Sequence, residues 1–358
     1  MRRKMSSKEI LKIDGSFGEG GGSILRICAG YSVLFNQPIN IYNIRANRST
    51  PGLRLQHLLG LKTLADLTNG KLSKCDVGTE EITFIPGKEI PKQNIDINIR
   101  TAASVGLLLQ PLQIACLGYN KPKEIEILLK GGGTIGKWAP DLNYLENVTY
   151  NLFKSAGFRI ELDIQKYGFY PKGGASTICR MYPQNKKLKP LNLTKLGNVS
   201  FVTGKIVCTK NLSNARVCER IKNSAEAKIK QELNLKANIN YEYVDSLSTG
   251  VGVSLWAKSG TGAIISSGTV LGEKGTPSEK VGQEAAENII TYIKNDIPVS
   301  KYLSDQLIPL LGYINEPSKL KVLEVTSHAK TNLELIGRFT SREYEIKAHR
   351  NYSIIHFK

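Results

Sequence analysis

Acidic residues are in short supply in this 358-residue chain: 31 Asp and Glu stand against 49 Lys and Arg, leaving a formal net charge of +18. That sign favours anionic partners such as nucleic acid, nucleotides or acidic membranes, and it says nothing about fold. Long apolar runs are missing as well. No stretch reaches the roughly 18 uncharged apolar residues of a membrane span, so none is expected. The basic start, Met1 to Met5, is followed by Lys8, Glu9, Lys12 and Asp14, which interrupt any signal-peptide core, and a cytoplasmic protein is expected. Histidines number only four, which disfavours a His-rich metal site. The six cysteines form no Cys-x-x-Cys pair, which disfavours zinc and disulfide frameworks. Several lie in apolar runs, so buried free thiols in a reducing compartment are expected.

What is present is a repeat. An apolar helix-like run, an Asn-x-Pro turn, a strand, a polar or Gly-rich loop and a second helix recur in that order. Asn36-Gln37-Pro38 leads into Ile39–Ile44 and then Arg45-Ala46-Asn47-Arg48. Asn120-Lys121-Pro122 leads into Glu124–Leu129 and then Lys130 and Gly131–Gly133. Asn315-Glu316-Pro317 leads into Leu320–Val325 and then Thr326-Ser327-His328-Ala329-Lys330. The strands alternate or run apolar, as half-buried or buried strands do. Pseudo-symmetric packing would place the three post-strand loops at equivalent sheet edges, and loops on a rigid scaffold are where sites are built.

A strand–helix–strands–helix block without the Asn-x-Pro turn follows the Pro-bounded, charged stretch 183–190. The expected architecture is α/β (α+β): three small sheet-plus-two-helix units forming a large domain (residues 1–184 and 297–358), with a smaller α/β domain inserted at 185–296.

Four constellations carry candidate chemistry. In Asp14–Arg26, Gly18 and Gly20–Gly22 lack side chains, so backbone N–H groups can approach an anion ahead of a helix N-terminus. Glu19 would repel phosphate there unless a bridging Mg²⁺ or Mn²⁺ resolved the conflict. The stretch 44–57 carries Arg45, Arg48, Gln56 and His57; guanidinium forks bind phosphate bidentately. His328 lies among hydroxyls and Lys330, and a neutral imidazole is a competent nucleophile toward phosphorus. Finally Ser304, Asp305 and Gln306, opening the third apolar helix, and Gln110, similarly placed in the second, offer hydrogen bonds to a base or sugar.

Gly18-Glu19-Gly20-Gly21-Gly22-x-x-x-Arg26, Arg45-Ala46-x-Arg48-x-x-Pro51-Gly52-Leu53, Gly168-Phe169-Tyr170-Pro171-x-Gly173-Gly174, Tyr302-Leu303-x-Asp305-Gln306 and His328-x-x-Thr331-Asn332 occur in that order. Together they resemble the RNA 3′-terminal phosphate cyclases, from about residue 10 to the C-terminus. The resemblance implies a ligase-type nucleotidyl transferase that uses ATP and a divalent metal, Mg or Mn. It implies that His328 accepts AMP, that AMP passes to an RNA 3′-phosphate, and that the 2′-hydroxyl closes a 2′,3′-cyclic phosphate. By the same resemblance Glu19 holds the metal, and Gln110, Tyr302, Leu303, Ser304, Asp305 and Gln306 bind the nucleotide. Arg26, Arg45, Arg48, Gln56 and His57 lie nearest the substrate phosphates, undivided between ATP and RNA. Tyr167 stands where a basic residue is expected and Ala175 where a third Gly is expected. The alternative class is a cyclase-like protein that binds ribosomal RNA precursors without nucleotidyl transfer; such proteins lack the nucleophilic histidine. Enolpyruvate transferases share a repeated architecture and would leave the His328 loop unexplained. Oligomeric state is left open.

Overall fold

The structure is a computed structural model that describes residues 9–18 and 20–358. The first repeat runs β1 (Leu11–Asp14), α1 (Gly22–Leu34), β2 (Ile39–Tyr42), α2 (Leu55–Thr68), β3 (Lys71–Leu72) and β4 (Ile82–Ile85), with strand order β1-β2-β4-β3. The second runs β5 (Asn94–Ser104), α3 (Val105–Ala115), β6 (Ile125–Gly133), α4 (Leu142–Tyr144), a π-helical stretch leading to α5 (Tyr150–Ala156), β7 (Ile160–Lys166) and β8 (Ser176–Met181), in the order β5-β6-β8-β7.

The third repeat opens with the two-residue β9 (Asn192–Leu193) and is then interrupted. The inserted block comprises β10 (Phe201–Thr209), α6 (Val217–Leu233), β11 (Lys236–Val244), β12 (Val251–Lys258), β13 (Ile264–Leu271) and α7 (Ser278–Lys294), with order β11-β10-β12-β13. The repeat resumes with α8 (Lys301–Tyr313), β14 (Ser318–Val322), α9 (Ser327–Phe339), β15 (Tyr344–Ala348) and β16 (Ser353–Phe357), in the order β9-β14-β16-β15. In every repeat the first two strands pair in parallel across a helical crossover and the remaining pairs are antiparallel. The mixed α+β architecture of repeated units is therefore present.

Two expectations are corrected. The expected insertion begins at residue 185, but Asn192 and Leu193 pair with Lys319 and Leu320 and so belong to the third sheet. Gly131–Gly133, expected as a loop, extend β6, and their missing side chains let Ile99 and Ala103 carbonyls press against the strand. All six cysteines are buried and free. Among the described residues no helix is long and apolar enough to cross a membrane.

Packing explains the helix order. α1 is buried on nearly every side, through Ile24, Leu25, Ile27, Cys28, Ala29 and Tyr31, as suits a helix surrounded by others. It packs on α2, α3 and α9, so its N-terminus opens where repeats meet. In the insertion, α6 buries Cys218, Ile221, Ala225 and Ile229 at helical spacing against its own sheet. The insertion is tied to the second repeat by Asp141, which is almost fully buried. Its carboxylate accepts from the Tyr144 N–H at 3.0 Å, from Thr269 Oγ1 at 2.5 Å and from Ser254 Oγ.

Candidate active site

The glycine loop before α1 is closed in by other elements. A Cβ at Gly18 would lie 2.4 Å from Thr331 Oγ1, and Gly18 holds a left-handed φ of +56°. At Gly20 it would meet Asn47, at Gly21 Arg48, and at Gly22 it would fall 2.2 Å from His57 Nε2. Glycine at these positions thus lets the loop touch α9 on one side and the loop after β2 and the start of α2 on the other. Asn47 fastens the contact by donating to the Ser16 carbonyl at 3.0 Å.

A cationic cluster faces the start of α1. The N-terminus of that helix has no side-chain cap, so its first N–H groups have no side chain to satisfy them. Arg26, one turn in, donates from Nε to Gln110 Oε1 at 2.7 Å, and its Nη1 lies 3.4 Å from His57 Nε2. Burial and the neighbouring Arg45 push the Arg26 pKa down to about 10, which leaves it charged at neutral pH. His57 Nδ1 accepts the Arg54 N–H at 3.1 Å. Burial first, then Arg26, Arg45 and Arg54, push the His57 pKa down to about 2, so the ring is neutral and its proton sits on Nε2.

Two N–H donors, Arg26 and His57 Nε2, therefore face each other beside an uncapped helix N-terminus. An anionic oxygen between them would satisfy all three. Arg45 holds its own loop by donating to the Thr50 and Gly52 carbonyls at 2.5 and 3.0 Å, and Arg48 is exposed. Gln56, beside His57, is half-buried.

On the opposite wall, His328 is half-buried in the first turn of α9, one turn ahead of Thr331 and thus close to Gly18. Thr326 caps this helix by accepting the Ala329 N–H at 2.9 Å, and its hydroxyl donates to Asp305 Oδ1 at 2.7 Å. Asn332 donates to the Asp305 carbonyl at 3.1 Å. Asp305 on α8 thus fixes the start of α9.

The five residues 302–306 divide. Tyr302 is exposed and its ring packs at Gly268 of the insertion, while Asp305 is half-buried. Leu303 and Ser304 are fully buried: Leu303 packs in the core and Ser304 Oγ donates to the Lys301 carbonyl. Gln306 is buried and accepts from Thr149 Oγ1 at 3.1 Å. Facing inward, these three support the helix. Gln110 likewise spends its carbonyl on Arg26 and positions that guanidinium.

Glu19 lies outside the described residues, and among those described no group of three or more His, Cys, Asp or Glu side chains could hold a metal ion. Sequence reasoning missed Arg54, Asn47 and the Asp305–Thr326 link; the glycine run was the signal for Asn47, because the missing side chain at Gly20 marks its neighbour. A cavity of about 820 Å³ opens elsewhere, at the C-terminal ends of α1 and α8, between Phe35, Tyr313, Gln184 and Arg342.

The family model described as RNA 3′-terminal phosphate cyclase matches residues 17–346. The chain is 38% identical over 339 residues to the RNA 3′-terminal phosphate cyclase of Thermococcus kodakarensis, covering 95% of each chain. It is 37% identical over 343 residues to that of Methanopyrus kandleri, covering 94% of this chain and 95% of the relative. It is 36% identical over 330 residues to that of Pyrobaculum aerophilum, covering 92% of each.

Proposed function

The chain belongs to the RNA 3′-terminal phosphate cyclase family, and from that premise we propose that it uses ATP to convert an RNA 3′-terminal phosphate to a 2′,3′-cyclic phosphodiester, with His328 carrying AMP. The observation that carries this reading is the seat of His328, one helical turn from the residue that touches Gly18, across the glycine loop from Arg26 and His57.

A neutral imidazole nitrogen of His328 bonds to the α-phosphorus of ATP, the bond to the bridging oxygen of the β-phosphate breaks, and pyrophosphate leaves. An oxygen of the RNA 3′-phosphate then displaces the imidazole and takes the AMP. The neighbouring 2′-hydroxyl loses its proton and attacks the former terminal phosphorus, and AMP departs. The intermediate is needed because an oxygen of a free phosphate is a poor leaving group, whereas AMP is a good one. Arg26, the Nε2–H of His57 and the start of α1 suit the phosphate charge that crowds this sequence of displacements. Gln110 orients Arg26; Asp305, through Thr326, holds the first turn of α9. Arg45, Arg48 and Gln56 line the approach from the first repeat. Tyr302 and Asp305 flank the nucleotide, with Leu303, Ser304 and Gln306 behind them.

In the sequence Glu19 is flanked by Gly18, which meets Thr331 of α9, and Gly20, which meets Asn47. One carboxylate completed by phosphate oxygens and water is an arrangement that suits Mg²⁺ or Mn²⁺. Bound there, the metal would offset phosphate charge.

The test is chemical. Incubation of an oligoribonucleotide 3′-phosphate with the protein, ATP and Mg²⁺ or Mn²⁺ is expected to yield ends resistant to phosphatase. A 2′-deoxy terminal nucleotide is expected to stop at the adenylylated end. Ends that stay phosphatase-sensitive would contradict the reading.

A further inference from the structure

The post-strand loop of the second repeat, 134–140, is the counterpart of the loops that carry Arg45 and Arg48 in the first repeat and precede His328 in the third. It carries Trp138, which is 94% exposed and holds a left-handed φ of +58°. A bulky side chain rarely adopts that backbone, and such strain persists where the surroundings over-determine it.

The surroundings do so here. The Thr134 N–H donates to the Gly168 carbonyl at 2.9 Å, and Ile135 bridges to Phe169. At the far end Asp141 is gripped by Tyr144, Thr269 and Ser254. The indole is thus presented to solvent from a loop fixed at both ends.

The same anchors put the loop at the proposed nucleotide side of the site. Pro140 lies over Gly106, one turn ahead of Gln110 on α3. Thr269, which holds Asp141, adjoins Gly268, against which the Tyr302 ring packs. Tyr170, 78% exposed, stands one residue beyond the bridge at Phe169. Lys172 beside Tyr170 is basic, and Lys137 beside Trp138 is paired with Glu273 at 2.5 Å, on a molecule of net charge +18. An aromatic rim on a cationic molecule suits single-stranded nucleic acid, where bases stack while cations track phosphates.

Resting on the cyclase reading, we propose that Trp138 is a stacking platform for a nucleobase near the 3′ end of the RNA, with Tyr170 flanking it. The platform is tolerant of base identity, because every base presents a π-face.

The test compares an oligoribonucleotide 3′-phosphate with the same backbone carrying abasic sites at its last three nucleotides. Binding is read by titration, with ATP affinity measured in parallel. The parent is expected to prefer the base-bearing strand by about fivefold or more. Trp138→Ala is expected to bind both strands alike, and Trp138→Phe to recover most of the preference. Of the two tryptophans, the other, Trp256, is partly buried on β12, so RNA is expected to quench emission that Trp138→Phe lacks.

A Trp138→Ala protein that keeps the parent's base preference overturns the proposal, as does one that loses ATP affinity while keeping that preference. A parent that binds neither strand contradicts the cyclase reading along with it, so the two failures have different signatures.

Discussion

His57 and His328 occupy comparable places in the first and third repeats: each lies in the first turn of the second helix of its unit. Their neighbours separate them. His57 is buried among Arg26, Arg45 and Arg54, its Nδ1 is taken by a backbone N–H, and its proton is fixed on Nε2. That ring is a neutral donor. His328 is half-buried, beside a Thr326 cap that Asp305 holds in place, on a helix with no acidic residue in its first turn. Repetition of a fold thus supplies equivalent positions, and the adjoining loops set the burial and partners of each imidazole; under the proposed function one donates to an anion and the other carries AMP. The second repeat puts neither at this edge; its loop presents Trp138.

The largest effect expected on the first-repeat side is from Arg26→Ala. It removes a charge-assisted donor and leaves Gln110 unpaired, and kcat/KM for cyclisation is expected to fall about a hundredfold. Arg26→Lys, which keeps the charge without the fork, is expected to fall between; equal activities in the three proteins would remove Arg26 from the site.

Next is acid sensitivity. Folded His57 stays neutral down to about pH 2, whereas the unfolded ring takes up a proton near 6.5. The unfolded state therefore binds more protons, so stability is whole above pH 6.5 and falls as pH drops below it, by at most about 1.4 kcal/mol per pH unit. Denaturant unfolding at pH 7 and pH 5 is expected to show this loss and Glu or Asp protonation together, with a shallower pH slope in His57→Gln. An unchanged slope would mean the ring is charged or exposed.

On the third-repeat side, Asp305→Ala is expected to lower stability by about 1 kcal/mol through loss of the Thr326 hydrogen bond, with Asp305→Asn recovering much of it because the amide oxygen still accepts. Thermal unfolding separates these variants. The smallest effect is electrostatic: Arg48→Ala is expected to reduce the slope of log affinity for single-stranded RNA against log salt by about 0.7, the share of one phosphate contact. A parallel line would place Arg48 away from the RNA.

Much of this architecture was legible because it repeats. Three Asn-x-Pro turns with like flanks revealed the three units, and the inserted block stood out by lacking one. The start of the third unit was hidden because β9 is two residues long and its partner strand lies far along the chain; Leu191 and Ser318, which hydrogen-bond there, are separated by 127 positions. Gly131–Gly133 read as a loop because glycine marks turns and close backbone approach alike. In the site, residue types were legible and their division was not. Leu303, Ser304 and Gln306 face inward because α8 is the buried helix of its repeat, and the Arg26–Gln110 pair spans 84 positions. Trp138 lies in a loop with no periodicity, so only its exposure in the folded chain drew it out.

The contrast between the two imidazoles meets its most direct test with ATP labelled at the α-phosphate. Protein, labelled ATP and Mg²⁺ or Mn²⁺ are combined without RNA, and label retained on the denatured chain is measured. The expected result is acid-labile, alkali-stable label, present in the parent and in His57→Gln and absent in His328→Ala. Label that persists in His328→Ala, or none in the parent, would contradict the assignment of His328 as the residue that carries AMP.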